Sequence, residues 1–211
     1  MKILIIGGGG HARMVASILT SMEDMQPLGY VTDDKKVGTV GPLGLPVLGG
    51  DECVSSVEHD GVIVAVGDNQ TRQRLFDQLV AFGESLVSAV HPSAIIAADV
   101  EIGNGCVVCP GVILNTGAVV GENTILNSGC VVEHECSIGS HVHVAPGAKL
   151  AGRVIVESGA CVGIGACILQ CLTVGSNSVV GAGAVVIDDV VPNAVVFGVP
   201  AREKKTDKLH F

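Results

Sequence analysis

The chain has 211 residues and a mass of 21.4 kDa, with 29 Gly, 1 Tyr, 4 Phe, no Trp and 48% apolar residues, so its core must be aliphatic. That length suits one domain or two small ones, and the composition excludes a collagen-like chain, which needs Gly at every third position, and a disordered one, which lacks aliphatics. The formal charge of -9 is spread over both halves, and the only basic cluster is Arg202, Lys204, Lys205 and Lys208, which excludes the electrostatic footprint of a nucleic-acid binder.

No apolar stretch approaches the roughly 18 residues that span a bilayer, and the N-terminal run ILII stops at four Gly, too short for a signal-peptide core. A soluble, cytoplasmic chain without membrane insertion is therefore expected, and its eight Cys are expected to be reduced thiols rather than a disulfide framework.

Residues 1–90 read as a βαβ unit of parallel-sheet type. KILII is a buried-strand run, GGGGH a loop and ARMVASILTSM a helix; PLGYV and GVIVAV are further strands, and TRQRLFDQLVAFG is a second amphipathic helix ending at Gly83. Gly7, Gly9 and Ala12 match G-x-G-x-x-[GA] between strand and helix, with Asp33 and Asp34 about 20 residues on at the end of the next strand. That arrangement sets a pyrophosphate at a helix N-terminus and lets a carboxylate read a ribose or base. A dinucleotide is one interpretation, but one mononucleotide-binding half favours a single nucleotide, such as a nucleotide-linked sugar; the other reading is Gly serving only a tight turn. His11 starts the helix, where its ring can donate to a phosphate or hydroxyl, unless it is merely solvent-exposed. The second strand-to-helix junction, GDNQTR, places Gly67, Asn69 and Thr71 at the same sheet edge, with helix capping by Asn69 or Thr71 as the alternative. The segment Ser88 to Ser93, stiffened by Pro92, is expected to be a linker.

From Ile96 to Val186 every sixth residue is Ile, Leu or Val, sixteen in succession without insertion. The positions two before each, such as Cys106, Ala118, Cys130, Cys136, Ala148 and Ala160, are mostly small. Alternation by two places both sets on one face, so each hexad is a short strand plus a corner. Three such faces closing into a triangle give a coil of 18 residues, with residues 18 apart stacked about 4.8 Å from each other; roughly five coils result, and with a C-terminal tail they make up a second domain of residues 91–211.

The stretch VEHECSIGSHVHVAPGAKLAG, residues 132–152, carries the chemistry. His134 and Glu135 fall at a corner and point outward, and a His held by a carboxylate can take a proton at neutral pH. Since 134 plus 18 is 152, Gly152 lies one coil along and leaves no side chain over His134, so a thioester can approach there. Glu135 could instead pair with Arg153, its own neighbour one coil on. His143 faces outward half a coil from His134, so the two can share a site only across a subunit boundary. Outward aliphatics such as Val107 and Ile113 also leave flat faces to cover, which points to a homotrimer. His141 sits in a turn without an obvious partner. Cys136 is close to the H-E pair but shares the inward phase, where a thiol is a small apolar filler rather than a nucleophile. Cys106 and Cys109 form C-x-x-C, yet one points inward and the other lies at a corner, so no metal site is expected.

The Gly loop ending in His11, then VTDD, VGDN, the hexapeptide prism with VEHECSIGSHVHVAPGAKLAG and the closing GVPAR closely resemble the bacillosamine-type nucleotide-sugar N-acetyltransferases, and also the sialic acid O-acetyltransferases of the wider hexapeptide-repeat acyltransferase family. The resemblance implies a Rossmann-like N-terminal domain followed by a left-handed parallel β-helix, a cytoplasmic homotrimer, and acetyl-CoA as co-substrate with no metal. It makes His134 the general base, Glu135 its orienting carboxylate and His143 a contact near the acetyl group. Gly9, Gly10, His11, Asp33, Asp34, Gly67 and Asn69 would hold the nucleotide sugar. Gly152 and the Gly181, Ala182 corner would bind the pantetheine arm. Ala12 and Asp68 depart from some relatives, and Asp68 bears on the sugar contacts of its loop. The acceptor implied is a UDP-4-amino-sugar; a sugar hydroxyl, or a trimeric scaffold without catalysis, are the alternatives.

Overall fold

The computed structural model describes residues 1–33 and 36–204; Asp34 and the end of the basic tail, Lys205 and Lys208 included, lie outside the described residues. The chain divides into two compact units, Met1–Pro92 and one beginning at Ser93. Among the described residues no helix is long and apolar enough to cross a membrane.

In the first unit, β1 (Lys2–Ile6), β2 (Gln26–Val31), β3 (Val47–Gly49) and β4 (Gly61–Val64) form a parallel sheet in the order β3-β2-β1-β4. Helix α1 (Gly10–Thr20) links β1 to β2, and α2 (Asn69–Ala81) follows β4. Central β1 is covered on both faces, with Ile3, Leu4 and Ile5 fully buried, which is why its sequence is an unbroken aliphatic run. Helix α1 buries Ala12, Val15, Ala16, Ile18 and Leu19, the spacing of one helical face. Phe76 and Leu79 of α2 pack into the cluster of Leu4, Ile6, Val31, Val62 and Val64. Strand β3 has only three residues, too short for a periodic signal, and carries no mark in the sequence. Within the expected linker of residues 88–93, Ala89–Val90 is instead a strand with Ala89 fully buried.

The second unit is a left-handed parallel β-helix. Two-residue strands recur every six residues from Ile95–Ile96 to Val185–Val186. Each, up to Cys167–Ile168, pairs in parallel with the strand 18 residues on, as in Val131↔Lys149 and Val132↔Leu150, so that three sheets enclose a triangular interior. One inward column runs Val108, Leu126, Val144, Val162 and Val180, and the column beside it Cys106, Thr124, Val142, Ala160 and Ser178; all are fully buried. Large and small side chains thus alternate on the inward face, which fills a narrow core without aromatic rings. At the corners the backbone turns through the left-handed region. One edge uses Gly111, Gly129, Gly147, Gly165 and Gly183, and another places Glu135, Arg153 and Cys171 in that conformation. The outward aliphatics differ from expectation: Val107 and its neighbour Ile125 are fully buried and Ile113 is half-buried, while Ile95, Val119 and Ile155 are exposed. Val195–Phe197 extends one sheet beyond Val179–Val180, and Arg202–Glu203 turns back antiparallel to it.

Candidate active site

His134 and Glu135 occupy the corner after the strand Val131–Val132. Nδ1 of His134 lies 3.0 Å from Oε2 of Glu135, and their side chains are 47% and 62% exposed, so a substrate can reach the pair. A carboxylate only accepts, so Nδ1 carries the proton and donates, and Nε2 holds the free lone pair of the neutral ring. The backbone N–H of Arg153 donates to the His134 carbonyl (2.9 Å), which locks Gly152 one coil along from His134, as the 18-residue arithmetic requires. A Cβ on Gly152 would collide with Nε2 and would lie 2.6 Å from Cε1. The space over Gly152 is therefore filled by the His134 imidazole itself rather than left as an open slot for a thioester. Gly152 is the floor on which the basic nitrogen rests. The Glu135 carboxylate turns to His134 and not to the exposed Arg153, which removes the cross-coil ion pair.

Cys136 is buried, and its thiol donates to the Ala151 carbonyl at 3.2 Å; burial pushes the thiol up, away from thiolate character. Cys109 is also fully buried, not at an open corner, and burial pushes both it and Cys130 up to about 12. Neither can serve as a nucleophile at neutral pH.

His143 lies on a different face of the prism, between Ile125 and Cys161, and Asn127 Nδ2 donates to its Nε2 at 3.1 Å. The Gly181, Ala182 corner follows Val179–Val180, which lies two coils along the same sheet as His143, while Gly152 is on the edge after Lys149–Leu150, a different sheet. One prism therefore does not bring His134 and Gly152 together with His143, Gly181 and Ala182. Gly181 is buried, and the Phe197 ring occupies the place a Cβ would take there, so the exposed part of that corner is Ala182. His141 has the partner that the sequence did not reveal, accepting at Nδ1 from Asn123 Nδ2 at 2.9 Å.

In the N-terminal unit the carboxyl ends of the parallel strands carry the remaining candidates. Gly7 has φ +124°, and a Cβ there would lie 2.9 Å from the Ala65 carbonyl, so the turn admits only glycine. Gly9 and Gly10 have open space where a Cβ would be, and no side chain caps α1, leaving its N-terminal amides facing an unobstructed surface. Gly67 is equally open. Asp33 is exposed beyond β2, and its carboxylate lies against the Cα of Gly50, just past β3. His11 is half-buried rather than solvent-exposed; burial first, and then the Arg72 charge, lower it to about 4, and its Nε2 has no hydrogen-bond partner among the described residues.

The second junction departs from the sequence reading in two ways. The cap of α2 is Asp68, whose carboxylate accepts from the Thr71 N–H at 2.8 Å, not Asn69 or Thr71. Hydrogen bonding to Thr71, with Arg72 adding to it, holds the Asp68 carboxyl below its usual range. Asn69 Oδ1 accepts from Arg72 Nη2 at 2.8 Å. Arg72 itself, fully buried, was not singled out from sequence; the only signal was its place on the face that also carries Phe76 and Leu79.

Residues 2–79 match the PglD N-terminal domain, and residues 117–152 match the bacterial transferase hexapeptide family (six repeats). A GDP-perosamine N-acetyltransferase of Escherichia coli O157:H7 is 35% identical over 147 residues, 67% of this chain and 66% of that protein, and a UDP-N-acetylbacillosamine N-acetyltransferase of Bacillus subtilis is 33% identical over 114 residues, 51% of this chain and 50% of that protein. The matched stretches thus span between half and two thirds of these relatives. Among solved structures, PerB from Caulobacter crescentus in complex with CoA and GDP-perosamine is 36% identical, with 97% of this chain and 98% of that chain covered and a TM-score of 0.91. The acetyltransferase domain of PglB from Neisseria gonorrhoeae, in complex with acetyl coenzyme A, is 32% identical with coverage of 96% and 98% and a TM-score of 0.91. With a Gly-loop parallel sheet, a hexapeptide prism and this near-complete overlap, the chain belongs to the hexapeptide-repeat nucleotide-sugar N-acetyltransferase family.

Proposed function

We propose that this chain transfers the acetyl group of acetyl-CoA to the amine of a nucleotide-linked amino sugar, with His134 as general base. The observation that carries this is the orientation of the His134 ring: Nδ1–H donates to Glu135, and the free Nε2 stands at the prism surface above Gly152. The neutral amine attacks the thioester carbonyl and a C–N bond forms. Its surplus proton passes to Nε2, Glu135 stabilises the resulting imidazolium, and collapse of the tetrahedral adduct breaks the C–S bond. The imidazolium then returns the proton to the CoA thiolate, which restores the base. No covalent acyl-enzyme is needed, in keeping with the buried Cys136.

Residues 1–90 take the nucleotide sugar in this reading. The α1 N-terminus with Gly9, Gly10 and His11 meets the diphosphate, Asp33 and Asp34 the ribose or base, and Gly67 and Asn69 the sugar. Residues 91–211 take acetyl-CoA, with the exposed Ala182 of the Gly181, Ala182 corner and His143 as contacts and the thioester brought to the His134 ring that rests on Gly152. Because His143 and His134 lie on different faces of one prism, His143 would come from a neighbouring subunit, which supports a homotrimer; the enzyme would work in the cytoplasm, where acetyl-CoA is found. The solved relatives bound to CoA and GDP-perosamine, or to acetyl coenzyme A, support both substrate classes. A thiol-release assay with acetyl-CoA against GDP- and UDP-linked amino sugars, with free sialic acids as hydroxyl acceptors, tests it. Turnover with the amino sugars is expected, and turnover with sialic acids alone would overturn the amine assignment.

A further inference from the structure

We propose that Arg72 is a positioning residue of the nucleotide-sugar site, whose buried guanidinium fixes the loop Gly67 to Asn69 at the sheet edge that also carries His11. Arg72 lies in the first turn of α2 and is fully buried. Its Nη1 donates to the Gly67 carbonyl at 3.1 Å, with the Val66 carbonyl a longer 3.4 Å away, and its Nη2 donates to Asn69 Oδ1 at 2.8 Å. The planar fork thereby ties consecutive residues of the β4–α2 junction to one rigid group, and turns the Asn69 side-chain oxygen inward. A buried cation persists only where polar groups meet its donors, and the Gly67 carbonyl and Asn69 Oδ1 do so, while the Asp68 carboxylate at the helix cap adds a favourable charge nearby.

The same charge acts on the other loop of the sheet edge. His11 starts α1, its Nε2 is buried and without a hydrogen-bond partner among the described residues, and Arg72 is the charged group that bears on it. Low polarity and a neighbouring cation both oppose a second positive charge there. A neutral ring keeps one N–H and one lone pair, so it can align on a phosphate oxygen or a hydroxyl without changing charge across the neutral range. The positive field that an anionic diphosphate needs comes instead from Arg72 and from the α1 N-terminus, neither of which titrates near neutrality.

This inference rests on the reading of the first unit as the nucleotide-sugar site, but its first test needs no substrate. NMR titration of the histidine rings in the whole protein should show His11 titrating near 4. In Arg72→Gln its midpoint should rise by about 1 unit, while Arg72→Lys, which keeps the charge and loses the fork, should leave it low. Calorimetry with GDP and with UDP should show weaker binding in both variants, with the acetyl-CoA affinity unchanged. His11 titrating at its ordinary value in the unaltered protein would overturn the proposal even if Arg72→Gln does not fold. So would an unchanged His11 midpoint in folded Arg72→Gln. If His11 responds as expected but neither GDP nor UDP binds the unaltered protein, the electrostatic coupling stands and the nucleotide assignment of the first unit fails.

Discussion

Gly152→Ala isolates the geometry of the base from its chemistry. A methyl group at this position would sit 2.6 Å from Cε1 and 3.1 Å from Cδ2 of His134. Carbon atoms rest at about 3.5 Å or more, so the imidazole must withdraw by roughly 1 Å. A shift of that size in a catalytic group costs about 10^2 in rate, equivalent to about 2.7 kcal/mol of barrier. The fold should tolerate the change, because Gly152 is not among the glycines in the left-handed region and the half-exposed His134 can swing toward solvent. The assay is thiol release at saturating acetyl-CoA, alongside a melting curve. We expect kcat to fall about 10^2-fold with little change in Tm. Combining it with His134→Ala should cost little beyond His134→Ala alone, since both act through one ring. Parental kcat in a Gly152→Ala protein of parental Tm would refute the placement of the basic nitrogen over Gly152.

His134→Ala should lower kcat by about 10^2 to 10^4 while the prism melts as before, and Glu135→Gln should cost less because the base survives and only its orientation weakens; steady-state kinetics distinguishes the two. Cys136→Ala should keep its activity, and a folded but inactive variant would restore the acyl-enzyme reading. In the first unit, Nδ1 of His59 faces the Val57 carbonyl at 2.7 Å and Nε2 faces Glu84 Oε2 at 2.9 Å. Burial opposes charge on His59, but these two acceptors outweigh it and the ring is raised above its ordinary value. Its stabilising effect is thus complete below about pH 6.5 and is lost as pH rises through the raised value. Tm measured on either side of neutrality should fall with rising pH, and this component should vanish in His59→Gln.

The prism was legible because its information is local and repeated. An inward aliphatic every sixth residue leaves few ways to bury them all, and a coil of 18 follows, with Gly152 under His134 as a consequence of counting. The Gly loop was legible for the same reason: Gly7 is demanded by a contact between adjacent strand ends. What covers an outward side chain, or how a buried charge is met, depends instead on groups far away in the chain, and no local pattern carries it. Thus Val107 reads as exposed and is buried, Cys109 reads as a corner and is core, and Arg72, which no local pattern marks out, is buried against the loop Gly67 to Asn69. The corner at Gly181 looked open because the sequence does not say that Phe197, arriving from the end of the chain, fills it. Periodicity records which way a residue points; only packing between distant segments settles what it meets there.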